Sequence, residues 1–345
     1  MTKRLVRIPS EERPFLEIFS AGRGCPQTST GFSRAQIEQI ARTVRRTPEV
    51  MVKVTGGGTR VGAISAHLAY IGRKGQLEIE TDEGERVAGR DAQRALLKDW
   101  HLELSAGQYR RPTEREPSAR KVKLVHNVVL SMPAPTPPEK VLAAARKFAR
   151  EKFALQHRYA MVLHTDQRHP HVHLVVKAES ELGRRLHIDK QLLREWREDF
   201  ATMMRERGVA ANATPRAMQG QNKRKSQDGI YRAQMRGAST AVRERVTVIA
   251  KELALTGTIR DPARRSLLKT RETAFGHWMK TAEVLDAQGE AVLAGEVRHF
   301  ARHLPPVLTD KERLAAQFIQ HLESRRSPAK AGIETTRERA EEFTR

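Results

Sequence analysis

Hydrophobic positions along the chain change period several times, and each change marks an element. Ser33 reads as an N-cap for a helix over 34 to 45, with Ile37, Ile40, Ala41 and Val44 on one stripe. Val50-Met51-Val52-Lys53-Val54 is a β-branched run that predicts a buried strand, closed by Gly56-Gly57-Gly58. From 61 to 73 the spacing is helical again. Ile64, Leu68 and Ile71 share one stripe, and His67, Tyr70 and Lys74 fall on a neighbouring one. Gly75 stops that helix, 76 to 81 alternates like a strand, and 91 to 102 reads as a third amphipathic helix. The stretch from 105 to 121 carries Gly107, Pro112 and Pro117 among many charges and reads as a mobile surface loop.

Beyond that loop the pattern predicts strands over 122 to 132, 158 to 164, 171 to 178 and 185 to 188. Helices are predicted over 138 to 155 and 190 to 207. Strands joined by hairpins and interleaved with helices, without strict βαβ alternation, indicate an α+β domain with a mainly antiparallel central sheet flanked by helices. Helical periodicity without strand alternation then covers 230 to 257, 262 to 287, 290 to 304 and 309 to 325, an all-α C-terminal region. The expected division is an N-terminal arm and helix (1 to 48), the sheet domain (49 to 220), a polar basic linker (221 to 229) and the helical region (230 to 345).

Charge narrows the partners. Lys and Arg number 63 against 41 Asp and Glu, a formal charge of +22 over 345 residues. A surplus of this size is ordinarily a footprint for nucleic acid, because each phosphate neutralised releases condensed counterions. An anionic membrane or a generically basic proteome would leave the same mark. No apolar run approaches the roughly 18 to 20 residues of a membrane span, and the first residues lack an apolar signal core. The expectation is a soluble cytoplasmic protein without membrane insertion. Cys25 is the one cysteine, so neither an internal disulfide nor a cysteine-based zinc finger is available. Any metal would be held by nitrogen and oxygen.

Four of the 13 histidines fall within ten residues: His164, His169, His171 and His173. Strand periodicity puts His171 and His173 on one face with Val175 and Lys177, and Val172, Leu174 and Val176 on the other. The strand ending at His164 is joined to the next by six residues, a hairpin length. If His164 and His171 are directly opposed they share a face, and three imidazoles converge. Burying three imidazoles in a hydrophobic hairpin without a partner is costly, which favours a metal site over a basic half-solvated edge. Asp166 is placed either to orient His164 through its second ring nitrogen or simply to make the turn.

These residues resemble a known family. His164-x-Asp166-x4-His171-x-His173 followed by a β-branched run is similar to the three-histidine motif of conjugative relaxases among the HUH endonucleases. Ala66-His67-Leu68-Ala69-Tyr70-Ile71-Gly72-Arg73-Lys74-Gly75-Gln76-Leu77 resembles the nucleophile motif of their mobilisation (MobA/VirD-like) branch. His126-Asn-Val-Val-Leu-Ser131-Met-Pro133 and Trp196-Arg-x2-Phe200-Ala up to Gly208 are weaker echoes of the family's central strand and of its helix after the metal motif. The resemblance covers about 50 to 220. Some relatives place an acidic ligand three residues after the first histidine, where this chain has Gln167.

The resemblance implies an HUH-type fold and a metal-dependent nicking-closing enzyme. Tyr70 is its nucleophile and Asp166 a catalytic group, with His164, His171 and His173 holding a divalent metal. Mg²⁺ or Mn²⁺ comes first, and three neutral ligands also suit Zn²⁺, Ni²⁺ or Co²⁺. Single-stranded DNA at an origin of transfer is the implied substrate, with Arg60, Arg73, Lys74, Lys177, Arg184 and Arg216 as candidate DNA contacts. A type IV coupling protein and accessory relaxosome proteins are the implied partners, and translocation with the DNA to a recipient cell goes with them. A rolling-circle replication initiator or an HUH transposase stands as the nearest alternative, and a non-catalytic basic DNA-binding accessory protein as one of another class.

Overall fold

The computed structural model describes residues 31–108, 122–221 and 240–326. Two compact units divide the chain: residues 45–214, and residues 1–44 together with 215–345. In the first unit, six strands form one sheet in the order β1-β4-β6-β5-β2-β3, every neighbouring pair antiparallel. They are β1 (Met51–Gly56), β2 (Ile79–Thr81), β3 (Arg86–Val87), β4 (Val125–Ser131), β5 (Tyr159–His164) and β6 (His171–Lys177). The chain has an α+β fold, a mainly antiparallel sheet flanked by helices with a helical C-terminal region.

Strand alternation builds a different core on each face. Val52, Val128, Leu130, Met161, Val172, Leu174 and Val176 point to one side. There α5 (Pro138–Phe153) and α6 (Lys190–Arg205) cover them with Phe148, Phe153, Trp196 and Phe200. The Phe148 ring meets Trp196 edge-on at 5.7 Å. Asp189 caps α6, its carboxylate accepting from the Leu192 amide at 2.8 Å. On the opposite face, Val125, Ala160, Val162 and Val175 pack under α2 (Val61–Ile71), α3 (Gly89–Asp99) and α4 (Leu102–Gln108). Ile64, Leu68 and Ile71 are the buried stripe of α2. This second face carries the histidines.

The second unit contains α1 (Arg34–Val44), α7 (Thr240–Thr256), α8 (Ala263–Ala287), α9 (Ala291–Arg302) and α10 (Asp310–Arg326). Ile40 of α1 joins Trp278, Leu285, Val297 and Phe300 in one core. The Trp278 indole donates to the Met218 carbonyl at 2.9 Å, drawing the chain just after residue 214 into this unit. No helix among the described residues is long and apolar enough to cross a membrane.

Two local expectations are corrected. The strand expected over 185 to 188 does not form. Arg185 makes a single bridge to Glu179, and the chain then enters the Asp189 cap. The loop expected from 105 is helical as far as Gln108, because a separate helix, α4, starts at the buried Leu102 and runs into it. Residues 109–121 and most of the expected linker lie outside the described residues.

One half-buried histidine outside the cluster gives a pH signature. His126 on β4 has a buried Nε2 without a hydrogen-bond partner. Burial, then the charge of Lys123, pushes its pKa down to about 4. Its folded-state pKa lies below the ordinary value, so its neutral form contributes stability that is complete above about pH 6.5 and lost as pH falls toward 4. Urea unfolding at pH 7.5 and pH 5 should show the wild type losing more of its midpoint than His126→Phe. Equal losses would mean that His126 does not drive the acid sensitivity.

Candidate metal and nucleophile site

The hairpin β5–β6 pairs His164 with His171 and Val162 with His173. His164 and His171 are buried and His173 is half-buried. The three ring centroids lie 4.6 to 5.1 Å apart. One nitrogen from each ring can be chosen so that all three lie within 4.8 Å of one another.

Hydrogen bonds fix which nitrogens are available. A carbonyl only accepts, so His164 Nε2, 2.6 Å from the Ile71 oxygen, carries the proton and Nδ1 presents the lone pair. By the same logic His171 Nδ1 donates to the His169 carbonyl at 3.0 Å, leaving Nε2 as its lone pair. Burial is the largest cause lowering the His173 pKa to about 3, followed by the charges of His164 and His171. His164 is lowered as well, by burial first. Three imidazoles whose nitrogens lie this close together suit a divalent cation in donor type.

Tyr70 sits on α2 immediately before Ile71, the residue whose carbonyl accepts the His164 hydrogen bond. Its side chain is 54% exposed, whereas Tyr159, the other described tyrosine, is 5% exposed and packs in the core. Tyr109 and Tyr231 lie outside the described residues. One turn before Tyr70 on α2, the His67 ring lies 6.4 Å from the tyrosine ring and 6.4 Å edge-on from His173. Its Nε2 is buried without a partner, and burial lowers its pKa.

After α2 the backbone turns sharply. Arg73, Lys74 and Gly75 have φ of +50°, +57° and +95°. Two non-glycine residues in the left-handed region are strained, at roughly 1 kcal/mol or more each. The turn brings the Arg73 guanidinium to the Asp166 carboxylate, to 3.5 Å from His164 Nδ1, and to 5.6 Å over the Tyr70 ring. Gly75 is required, because a Cβ there would lie 2.9 Å from Gly89 Cα in addition to the backbone strain. Gly75→Ala should lower stability by about 1–3 kcal/mol in urea titrations. A loss within error would show that the turn relaxes freely.

Of the two readings left open for Asp166, orienting His164 or making the turn, the first does not match the geometry. Its nearer carboxylate oxygen is 4.0 Å from His164 Nδ1, and the Ile71 carbonyl does the orienting. Asp166 instead pairs with Arg73. Partial burial works against its ionisation, yet the Arg73 charge prevails and holds it below the usual carboxylate range.

The candidate DNA contacts scatter. Arg73 is in the site and Lys74 is exposed beside it. Lys177 is buried at the far end of β6, paired with Glu181 at 3.1 Å, and so is not presented to a strand of DNA. Arg60 precedes α2 at the end opposite Tyr70, and Arg184 lies in the exposed loop after β6, beyond Lys177. Arg216 is exposed and belongs to the helical unit. His67 is the member that the motifs did not single out. Its signal was the three-residue spacing from Tyr70 on one helical stripe.

Comparison with known proteins adds lineage to this geometry. A family model described as relaxase, MobA/VirD2-like, nuclease domain matches residues 70–209. The T-DNA border endonuclease VirD2 of Agrobacterium fabrum is 27% identical over 212 residues, 56% of this chain and 46% of that protein. The protein of the same name from Rhizobium radiobacter is 30% identical over 186 residues, 50% of this chain and 43% of its own length. The Rhizobium rhizogenes protein is 29% identical over 144 residues, 39% and 32% respectively. The chain thus spans less than half the length of these relatives. A solved structure described as "Molecular Basis of Vancomycin Resistance Transfer in Staphylococcus aureus" aligns with 49% of this chain and 99% of its own, at 12% identity and a TM-score of 0.32. The matched segment runs from Tyr70 through all three clustered histidines to the end of the helix that follows them, so residues 70–209 are similar to the MobA/VirD2-like relaxase nuclease domain.

Proposed function

We propose that this chain is a site- and strand-specific DNA relaxase that nicks an origin of transfer by tyrosine transesterification. Tyr70 Oη attacks the scissile phosphorus, the bond from phosphorus to the 3′ oxygen breaks, and the phenolic proton is given up as the 3′ hydroxyl forms. The product is a 5′-phosphotyrosine, which conserves the phosphodiester energy for rejoining. The observation that carries the reading is the 2.6 Å hydrogen bond from His164 to the carbonyl of Ile71. It ties the residue next to the nucleophile to the histidine cluster.

His164, His171 and His173 are the residues that would hold a divalent cation, with Mg²⁺ or Mn²⁺ first and Zn²⁺, Ni²⁺ or Co²⁺ also suited to the donors. Such a cation supplies positive charge against a non-bridging phosphate oxygen. Arg73, over the Tyr70 ring, meets the incoming phosphate, and Asp166 positions Arg73. The basic surplus holds the single strand. In this reading the covalent adduct pilots DNA during conjugative transfer or element mobilisation, with a type IV coupling protein and accessory relaxosome proteins as partners.

The test is nicking of supercoiled plasmid carrying a candidate origin, with Mn²⁺ and with EDTA. Open circles with a tyrosine-linked 5′ end should accumulate only with metal. Binding of the origin strand without any nicking would instead mark a DNA-binding accessory protein.

A further inference from the structure

Three neutral imidazoles leave a divalent cation short of ligands, and the nearby carboxylate does not complete the set. Asp166 is committed to Arg73, and Gln167 stands where some relatives carry an acid. One further nitrogen is close by. His67 Nε2 is shielded from solvent yet has no hydrogen-bond partner, an arrangement that costs free energy unless something else engages that atom. Its ring is 6.4 Å from that of His173. Two imidazoles on opposite sides of one metal, through bonds of about 2.1 Å, have centroids about 6.5 Å apart, so the His67–His173 spacing is that of a trans pair. His67 lies outside the nitrogen cluster of the triad, and joining it requires the His67 ring to move toward the ion.

We propose that His67 is a fourth nitrogen donor to the cation held by His164, His171 and His173. This rests on the metal reading of the triad and extends it to the helix that bears Tyr70. His67 and Tyr70 are separated by one helical turn, so a donor at His67 fixes the azimuth of α2 relative to the cation and thereby the position of the Tyr70 side chain. The arrangement also accounts for the orphaned nitrogen, which solvent does not reach.

Co²⁺ titration of the full chain, followed by its visible absorption, tests the proposal without reference to nicking. Wild type should bind one equivalent of Co²⁺. His67→Ala and His67→Gln should weaken binding at least about 10-fold and alter the band shape, while circular dichroism and metal-free unfolding match wild type. The glutamine variant keeps the bulk of the side chain and is decisive if the alanine variant does not fold. If both variants titrate like wild type while His173→Ala loses the band, the inference about His67 is overturned and the triad stands. If wild type itself binds no Co²⁺, the metal reading of the triad falls and this one with it.

Discussion

Tyr70→Phe is expected to abolish the covalent adduct with single-stranded origin DNA, a loss of at least about 10³-fold, while noncovalent binding stays within about two-fold of wild type. The substitution removes one oxygen from a side chain that is already 54% exposed, so the core under α2 keeps Ile64, Leu68 and Ile71. The hydrogen bond to His164 comes from the backbone of Ile71 and survives as well. Arg73 keeps its place over the ring and its pair with Asp166. The variant therefore separates chemistry from architecture. Denaturing gels with end-labelled oligonucleotide read the adduct, and fluorescence anisotropy reads binding. An adduct persisting in the variant would move the nucleophile to Tyr109 or Tyr231, since Tyr159 is buried.

The histidine triad was legible because a strand has a strict period of two. Once 171 and 173 are on one face, a six-residue hairpin fixes 164 beside them, and the observed pairing of His164 with His171 follows. Lys177 shows where the same rule stops. It does share that face, but period two is silent about distance along the strand, and the side chain ends up buried against Glu181. His67 lay in view on the stripe with Tyr70, yet a lone histidine on an amphipathic helix carries no signal until a second element is packed against it. The Ile71 carbonyl that orients His164 was beyond reach for a related reason. A backbone acceptor has no residue type, and only tertiary packing brings it to the ring. The Arg73–Asp166 pair joins residues 93 apart in sequence through a turn with three successive positive φ values, of which Gly75 alone announced itself. The division of the chain was obscured by α1, whose apolar stripe gives no hint that Ile40 shares a core with helices more than 200 residues later.

Removing one triad imidazole should separate the cation's contribution from that of the tyrosine. His173→Ala is expected to lower metal-dependent nicking by about 10³-fold and to leave single-strand binding near wild type. His173 is chosen because its ring is nearest to His164, at 4.6 Å, and because it is half-buried, so truncation leaves little cavity in the sheet. Its β6 backbone keeps its pairing to Val129 and Val162. EDTA added to wild type should reproduce the phenotype, and excess Mn²⁺ should restore the variant in part, since His164 and His171 remain as donors. Tyr70→Phe should not respond to added metal at all, because its defect lies in the missing oxygen. The contrast between the two variants is the discriminating measurement. If His173→Ala nicks at the wild-type rate and binds metal as wild type does, the three imidazoles are a buried structural cluster and the cation must be held elsewhere.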